Sequence, residues 1–474
     1  MGSLEFSDGK RLGSTFQGTL EISLFLDQCY LGRPSKLVNQ AVRHLSGFIL
    51  PTDEFEQING RNREYFSTAR SYYKKIQAAD ETGLQAKMFL VSLSTFVHEH
   101  RHAHDLLGTR IGQGILLNSR ECYLNAGMLL ESLKSWQMET GKPIPLPLPK
   151  DLQGLETLPS DTKELILRSF KVEETENNIM NSQELSPSGL SVRHLLETSA
   201  INIQLDFTRM LFGDKAALVV KDAIAKGSQS RLYYEARNEV RDLFISKGFI
   251  GYDFDKIVNY LIWCSLSGIF PKGGNVRDDT IHPVVLFESL VEHVTRTSKN
   301  MGLIDCQMAV QEFCRRWDLE TPENAAKHYS SVFSERVVRA KQLAERSKHS
   351  MVFELLQSYG NIKNAYDRLY EIAIKHPYLL CHSEYYITHL FGGFFPSVLI
   401  KLLYTKSEEK FLFRSYGYEL MNADEWQTIS TFAVTLNLFT KGRLSSDDLI
   451  TENSIYDGLV DGDIWGYRFR FNCF

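Results

Sequence analysis

Most of the chain alternates polar and apolar positions with a helical period. "TGLQAKMFLVSLSTFVHEHRHAHDLLG" runs from Thr82 without proline and stops at Gly108, a favoured residue just past a helix end. "NSRECYLNAGMLLESLKSWQMETG" predicts a second helix with Asn118 or Ser119 as its cap. "PSGLSVRHLLETSAINIQLDFTRMLFG" predicts a third, entered near Ser191 and closed by Gly213. Further helices are expected over 253–269, 283–300 and 334–359. Two-residue alternation is found near both ends, at Leu20, Ile22, Leu24 and Leu26 and at Tyr467, Phe469 and Phe471, and predicts strands that are free to pair. The fold expected is mainly α (α+β with a small sheet).

The helical pattern lapses between Gly141 and Gly189. "KPIPLPLPK" favours an extended, polyproline-like path, and "KVEETENNIMNSQELSPSG" is acidic and poor in large apolar residues. A linker, or a flap lying across a groove, is expected there. This divides the chain into 1–140, 141–190 and 191–474. The most apolar stretch, "YYITHLFGGFFPSVLIKLLY" from Tyr385, is interrupted by His389, Gly392, Gly393, Pro396 and Lys401. It reads as two buried helix segments joined at a break rather than a membrane span.

Composition narrows the function classes. The 474 residues carry a net charge of −5, so no basic excess exists to displace phosphate counterions from a nucleic acid. The seven cysteines form no CxxC pair, which argues against a disulfide framework or a thiolate zinc site and suggests reduced, buried thiols of a cytoplasmic protein. The N-terminus lacks the apolar core of a signal peptide, and Phe6 stands where myristoylation wants Ser or Thr.

Four histidines at alternate positions, in "FVHEHRHAHDLLGT", are the chief candidate chemistry. At 100° per residue His98, His102 and Asp105 share one helix face, while His100 and His104 form an i,i+4 pair on nearly the opposite one. Periodicity does not separate the pairs, because Leu84, Met88 and Val91 continue one face and Phe89, Leu93 and Phe96 the other. A helix apolar nearly all round is buried, and so many polar groups inside it are expensive unless liganded. The intervening residues decide. His98-Glu99-His100-Arg101-His102 is an HExxH pattern, in which the two outer imidazoles bind zinc and Glu99 stays off the metal as general base. The other pair encloses Arg101, a fixed cation that repels a metal.

The pattern resembles the active-site helix of the zincin metallopeptidases. The resemblance covers this helix and one more at most. The metzincin extension is missing, since Asp105 and Gly108 stand where Gly and His or Asp would be required. Resemblance to the glutamate-ligand (gluzincin-type) zincins implies a third ligand on a following helix. Glu121 follows His102 by 19 residues, near a separation common in such enzymes, but Asn125 stands where their partner acid would be. Glu197 interrupts an apolar stretch beside small Ser199 and Ala200, which would admit a close helix approach. The ligand set expected is His98, His102 and Glu197, with Glu121 the alternative and Asp105 orienting a histidine ligand.

Two looser clusters, His282/Glu288/Glu292/His293 and His376/His382/Glu384/His389, lack this spacing and read as helix-surface or capping chemistry. Tyr385 or Tyr386 is the candidate oxyanion donor. The function expected is zinc-dependent hydrolysis of a protein or peptide substrate, catalysed through Glu99. The alternative is a helical interaction protein with a structural or vestigial zinc site. A partner protein remains compatible with both; neither nucleic acid nor membrane is indicated.

Overall fold

The computed structural model describes residues 34–47 and 55–345 apart from short breaks, most of 376–391, strands at 13–16, 21–25, 399–403 and 411–414, and isolated positions elsewhere. Twelve longer helices dominate these residues: α1 Lys36–Gly47, α2 Phe55–Ala79, α3 Leu84–Gly108, α4 Arg110–Thr140, α5 Ser160–Asn181, α6 Val192–Phe212, α7 Asp214–Lys226, α8 Ser230–Ser246, α9 Phe254–Leu266, α10 Pro283–Thr297, α11 Leu303–Arg316 and α12 Pro322–Ala344. Short helical turns follow at Tyr378–Cys381 and Ser383–Tyr385, then a π-helical turn at Tyr386–Leu390. The protein is mainly α, as its periodicity implies.

A small sheet lies against α3. Its order is β1 (Gly13–Phe16), β2 (Glu21–Phe25), β3 (Leu399–Leu403) and β4 (Phe411–Arg414). The β2–β3 pair is parallel, with Ile22 opposite Ile400 and Leu24 opposite Leu402; the outer pairs are antiparallel. The alternation around Ile22 therefore marks a strand. The C-terminal strand β6 (Tyr467–Arg468) pairs with β5 (Asp463–Ile464), so among the described residues it does not join the first strand. The stretch from Tyr385 to Tyr404 is not two helices, because its second half supplies β3. A short apolar run of this kind is compatible with strand or helix, and partner strands decide. No helix among the described residues is long and apolar enough to cross a membrane.

The core is organised around α3, in which every residue from Met88 to Gly108 is buried. Its most extensive helix contact is with α6. Thr109 alone separates α3 from α4: its hydroxyl donates to the Asp105 carbonyl (2.8 Å) and accepts from the Gly112 N–H (3.1 Å). Gln113 caps a further α3 carbonyl, donating to Leu107 O at 2.7 Å. The corner is so tight that a Cβ on Gly112 would meet the Asp105 carbonyl at 2.5 Å and the backbone of Leu106. Helix α4 thus starts at Arg110, well before Asn118 or Ser119. The capping hydroxyl of Thr109 outweighs the glycines at 112 and 114 that make this stretch look like a loop.

The stretch between α4 and α6 is more than an extended connection. Ile144, Leu148, Leu155 and Leu158 are buried with Leu129, Leu133 and Trp136 of α4 and Ile166 of α5 in a satellite core. Helix α12 begins at Pro322, earlier than the expected Ser334, and 346–359 lie outside the described residues.

Candidate metal centre

Two helices build the site. His98 and His102 stand one turn apart on α3, and Glu197 comes from the second turn of α6. Helix α6 is fixed at both ends by local sequence. At its start, His194 Nδ1 accepts the Ser191 N–H at 3.1 Å and lies 2.7 Å from the Ser191 hydroxyl. At its end, Gly213 adopts φ 88° and donates to the Arg209 carbonyl. Ser199 and Ala200, the small residues beside Glu197, are fully buried, and Gln204 reaches across to the Ser94 hydroxyl of α3 at 3.1 Å.

The three side chains converge. His98 Nε2 is 3.0 Å from His102 Nε2 and 3.2 Å from Glu197 Oε2, and His102 Nε2 is 3.4 Å from the same oxygen. Zinc bound tetrahedrally at about 2.0–2.1 Å would separate its donors by about 3.3–3.4 Å along each edge. The observed triangle has nearly the size of one face of that tetrahedron. It is also the one group of three or more His, Cys, Asp or Glu side chains among the described residues with metal-holding geometry. His98, His102 and Glu197 are 2%, 9% and 1% exposed. Burial by itself would raise the Glu197 carboxyl, but His102 and His98 hold it far below the usual carboxylate range. Burial would likewise depress the His102 imidazolium, yet Glu197, with Glu99 and Asp105, holds it up to about 9. Without a metal, a proton on His102 is the counter-charge of Glu197. Glu99 is buried beside the triangle and contributes to that field.

The other polar side chains of the motif, on the neighbouring and opposite faces of α3, are held within the protein. Arg101 is buried and grips Asp105 with two contacts, Nε to Oδ2 at 3.1 Å and an Nη to Oδ1 at 2.8 Å. It also donates to the Leu380 carbonyl at 2.7 Å and lies 5.0 Å from the centre of the Tyr386 ring. The hydrogen-bonding capacity of Asp105 is therefore turned to Arg101, which stands in place of the expected histidine, although its charge still acts on His102. Tyr386, expected as an oxyanion donor, is committed to His104 Nδ1 at 2.7 Å. Its companion Tyr385 is partly exposed and packs on His382 and His389. His100 sits among Phe96, His104 and Phe391, and burial pushes its imidazolium down to about 3, so it is neutral.

Glu121, the alternative ligand, is drawn elsewhere, 3.4 Å from an Arg168 Nη and 4.0 Å from Arg336 Nε. The looser clusters resolve as capping and surface chemistry: Glu288 accepts from Ser186 Oγ and the Ser188 N–H, and Glu292 pairs with Arg296. Sequence reasoning missed the Arg101–Asp105 pair, although its i,i+4 spacing was visible. It also missed the arginines at Glu121, which come from two other helices, α5 and α12, and leave no local signal. No protein-family model matches this chain, and no curated protein or solved structure is similar to it.

Proposed function

We propose that the protein is a zinc-dependent metallopeptidase whose metal is held by His98, His102 and Glu197. The observation that carries this reading is the donor triangle of 3.0, 3.2 and 3.4 Å, sized for one face of a zinc tetrahedron. With three protein ligands the fourth position is left for water or substrate, the mark of a catalytic rather than a structural zinc. Zinc would supply Lewis acidity, making water nucleophilic near neutral pH and polarising the scissile carbonyl. Glu99 accepts a proton from the attacking water as its oxygen bonds to the carbonyl carbon. It then delivers that proton to the amine nitrogen as the C–N bond breaks. His102, the most exposed of the three ligands, marks the side of approach.

A cytoplasmic setting fits the cysteines. Cys122, Cys264, Cys306, Cys314 and Cys381 are buried free thiols, and burial raises the last four in pKa, which keeps them protonated and inert. The depth of the triangle favours one second reading, a helical interaction protein in which zinc only ties α3 to α6.

One experiment separates the two. Wild type and Glu99→Gln are incubated with a mixed peptide library, and new termini are read by mass spectrometry. Glu99→Gln keeps its zinc and its fold while cleavage falls at least about 100-fold, the lower end of what a positioned proton-transfer group contributes. Zinc-replete wild type that generates no termini beyond those of the variant would favour the structural reading.

A further inference from the structure

A second site of different chemistry lies at the cleft around Glu121. Helices α4, α5 and α12 enclose about 510 Å³ there, within the range of about 300–1,000 Å³ typical of small-molecule sites. Its lining is polarised. Arg110, Arg168, Arg336 and Arg339 face only two acids, Glu121 and Glu335, which leaves an excess of two positive charges in a chain whose net charge is −5. Cations gathered around one cleft repel each other unless an anion sits between them, and a cleft of one sign concentrates ions of the other.

The chain already places an anion there. The Glu121 carboxylate lies between Arg168 and Arg336, and Arg336 also donates to Asn118 Oδ1 at 3.2 Å. One carboxylate cannot use the five N–H donors of each guanidinium. Arg339 adds a further set at the same wall, one turn along α12 from Arg336. Planar guanidiniums converging from two helices suit the oxygens of a phosphate, which can be shared between forks where a single carboxylate cannot. The other end of the same groove, one to two turns earlier on α4 and α12, is apolar and aromatic. Ile111, Ile115, Val332 and the buried Tyr329 line it, with the Arg110 guanidinium 5.3 Å from the Tyr329 ring centre. A groove charged at one end and apolar at the other selects for a molecule with both halves.

We infer that this cleft binds a phosphorylated small molecule of nucleotide size, its phosphate on Arg168, Arg336 and Arg339 and its organic part against Tyr329. The inference does not depend on the metal centre, because none of these residues belongs to it.

Calorimetric titration of the full chain with AMP, adenosine, pyrophosphate and inorganic phosphate tests it. AMP is expected to bind in the micromolar range, with adenosine at least ten-fold weaker. Arg168→Gln and Arg339→Gln, both at solvent-accessible positions, each lower AMP affinity at least ten-fold while zinc content stays at the wild-type value. Glu121→Gln removes the internal competitor and strengthens AMP binding several-fold. The inference is overturned if none of the phosphate-bearing probes binds below about 10 mM, or if both arginine variants bind AMP as tightly as wild type. Inorganic phosphate binding as tightly as AMP would overturn the nucleotide-size assignment, and weaker AMP binding by Glu121→Gln would overturn the placement of the phosphate.

Discussion

Arg101→Met isolates the energetics of the buried ion pair that flanks the metal centre on α3. Methionine fills the volume of the arginine stem, so the variant removes the charge and its donors while opening little space. Asp105 is then a buried carboxylate without its two contacts at 3.1 and 2.8 Å, and the Leu380 carbonyl loses its donor at 2.7 Å. Breaking a buried ion pair from one side costs about 3–5 kcal/mol, and an orphaned carbonyl adds about 1–3 kcal/mol. Because the two overlap, we expect a loss of about 4–6 kcal/mol, a large part of the roughly 5–15 kcal/mol that holds a typical domain folded. Arg101→Met/Asp105→Leu removes the stranded charge as well. It should be the more stable of the two variants, losing no more than about 3 kcal/mol, since an apolar replacement of both partners is often neutral. Urea unfolding followed by circular dichroism reads both values, with zinc measured on the same samples. Zinc content of the folded protein should not change, because Arg101 is not a ligand and directs its guanidinium to Asp105 and the Leu380 carbonyl. A single variant within about 1 kcal/mol of wild type, or a double variant no better than the single, would refute this account of how α3 is held.

The remaining predictions concern the metal, the helix corner and acid stability. One zinc should copurify per chain and be lost from His98→Ala, His102→Ala and Glu197→Ala but kept by His100→Ala and Glu121→Ala, as read by elemental analysis; loss from the His100 variant would put the ion on the other face. Gly112→Ala presses a methyl group onto the Asp105 carbonyl and the Leu106 backbone, and should cost about 3 kcal/mol or more in thermal or urea unfolding; wild-type stability would show that the corner yields. His100 is neutral when folded because burial lowers it to about 3. The unfolded chain therefore takes up the extra proton below about pH 6.5, and stability falls as pH drops from there towards 3. His100→Phe should make that fall shallower by about 1.4 kcal/mol per pH unit in pH-dependent urea unfolding, and equal slopes would mean that His100 is charged in the fold.

What could be read from the sequence was what short-range physics controls. The ends of α6 are written in Ser191 and Gly213, and the pairing of His98 with His102 follows from the helical repeat. The start of α4 was not legible. Its cap, Thr109, follows directly on the glycine that ends α3, and Gly112 resembles a breaker unless one knows that α3 presses against it. Helix α5 was hidden for a related reason, since its sequence is acidic and, among its described side chains, only Thr162, Ile166, Ser169 and Met180 are buried. The choice between Glu197 and Glu121 depended on which helix packs beside the histidines, a tertiary fact. The environment of Glu197, an acid among buried apolar and small residues, was the part of that fact the sequence carried.

Charge balance links the two carboxylates of the centre. Without a metal, the proton on His102 offsets Glu197, and Glu99 adds to the field that holds that proton. A divalent cation held by His98, His102 and Glu197 would displace that proton and set two positive charges against the Glu197 and Glu99 carboxylates. The buried cluster is then neutral as a whole. This balance ties occupancy to chemistry. In the proposed reaction, a proton taken up by Glu99 would give the cluster a positive charge as negative charge develops on the substrate oxygen, and a buried site favours the two together over either charge alone.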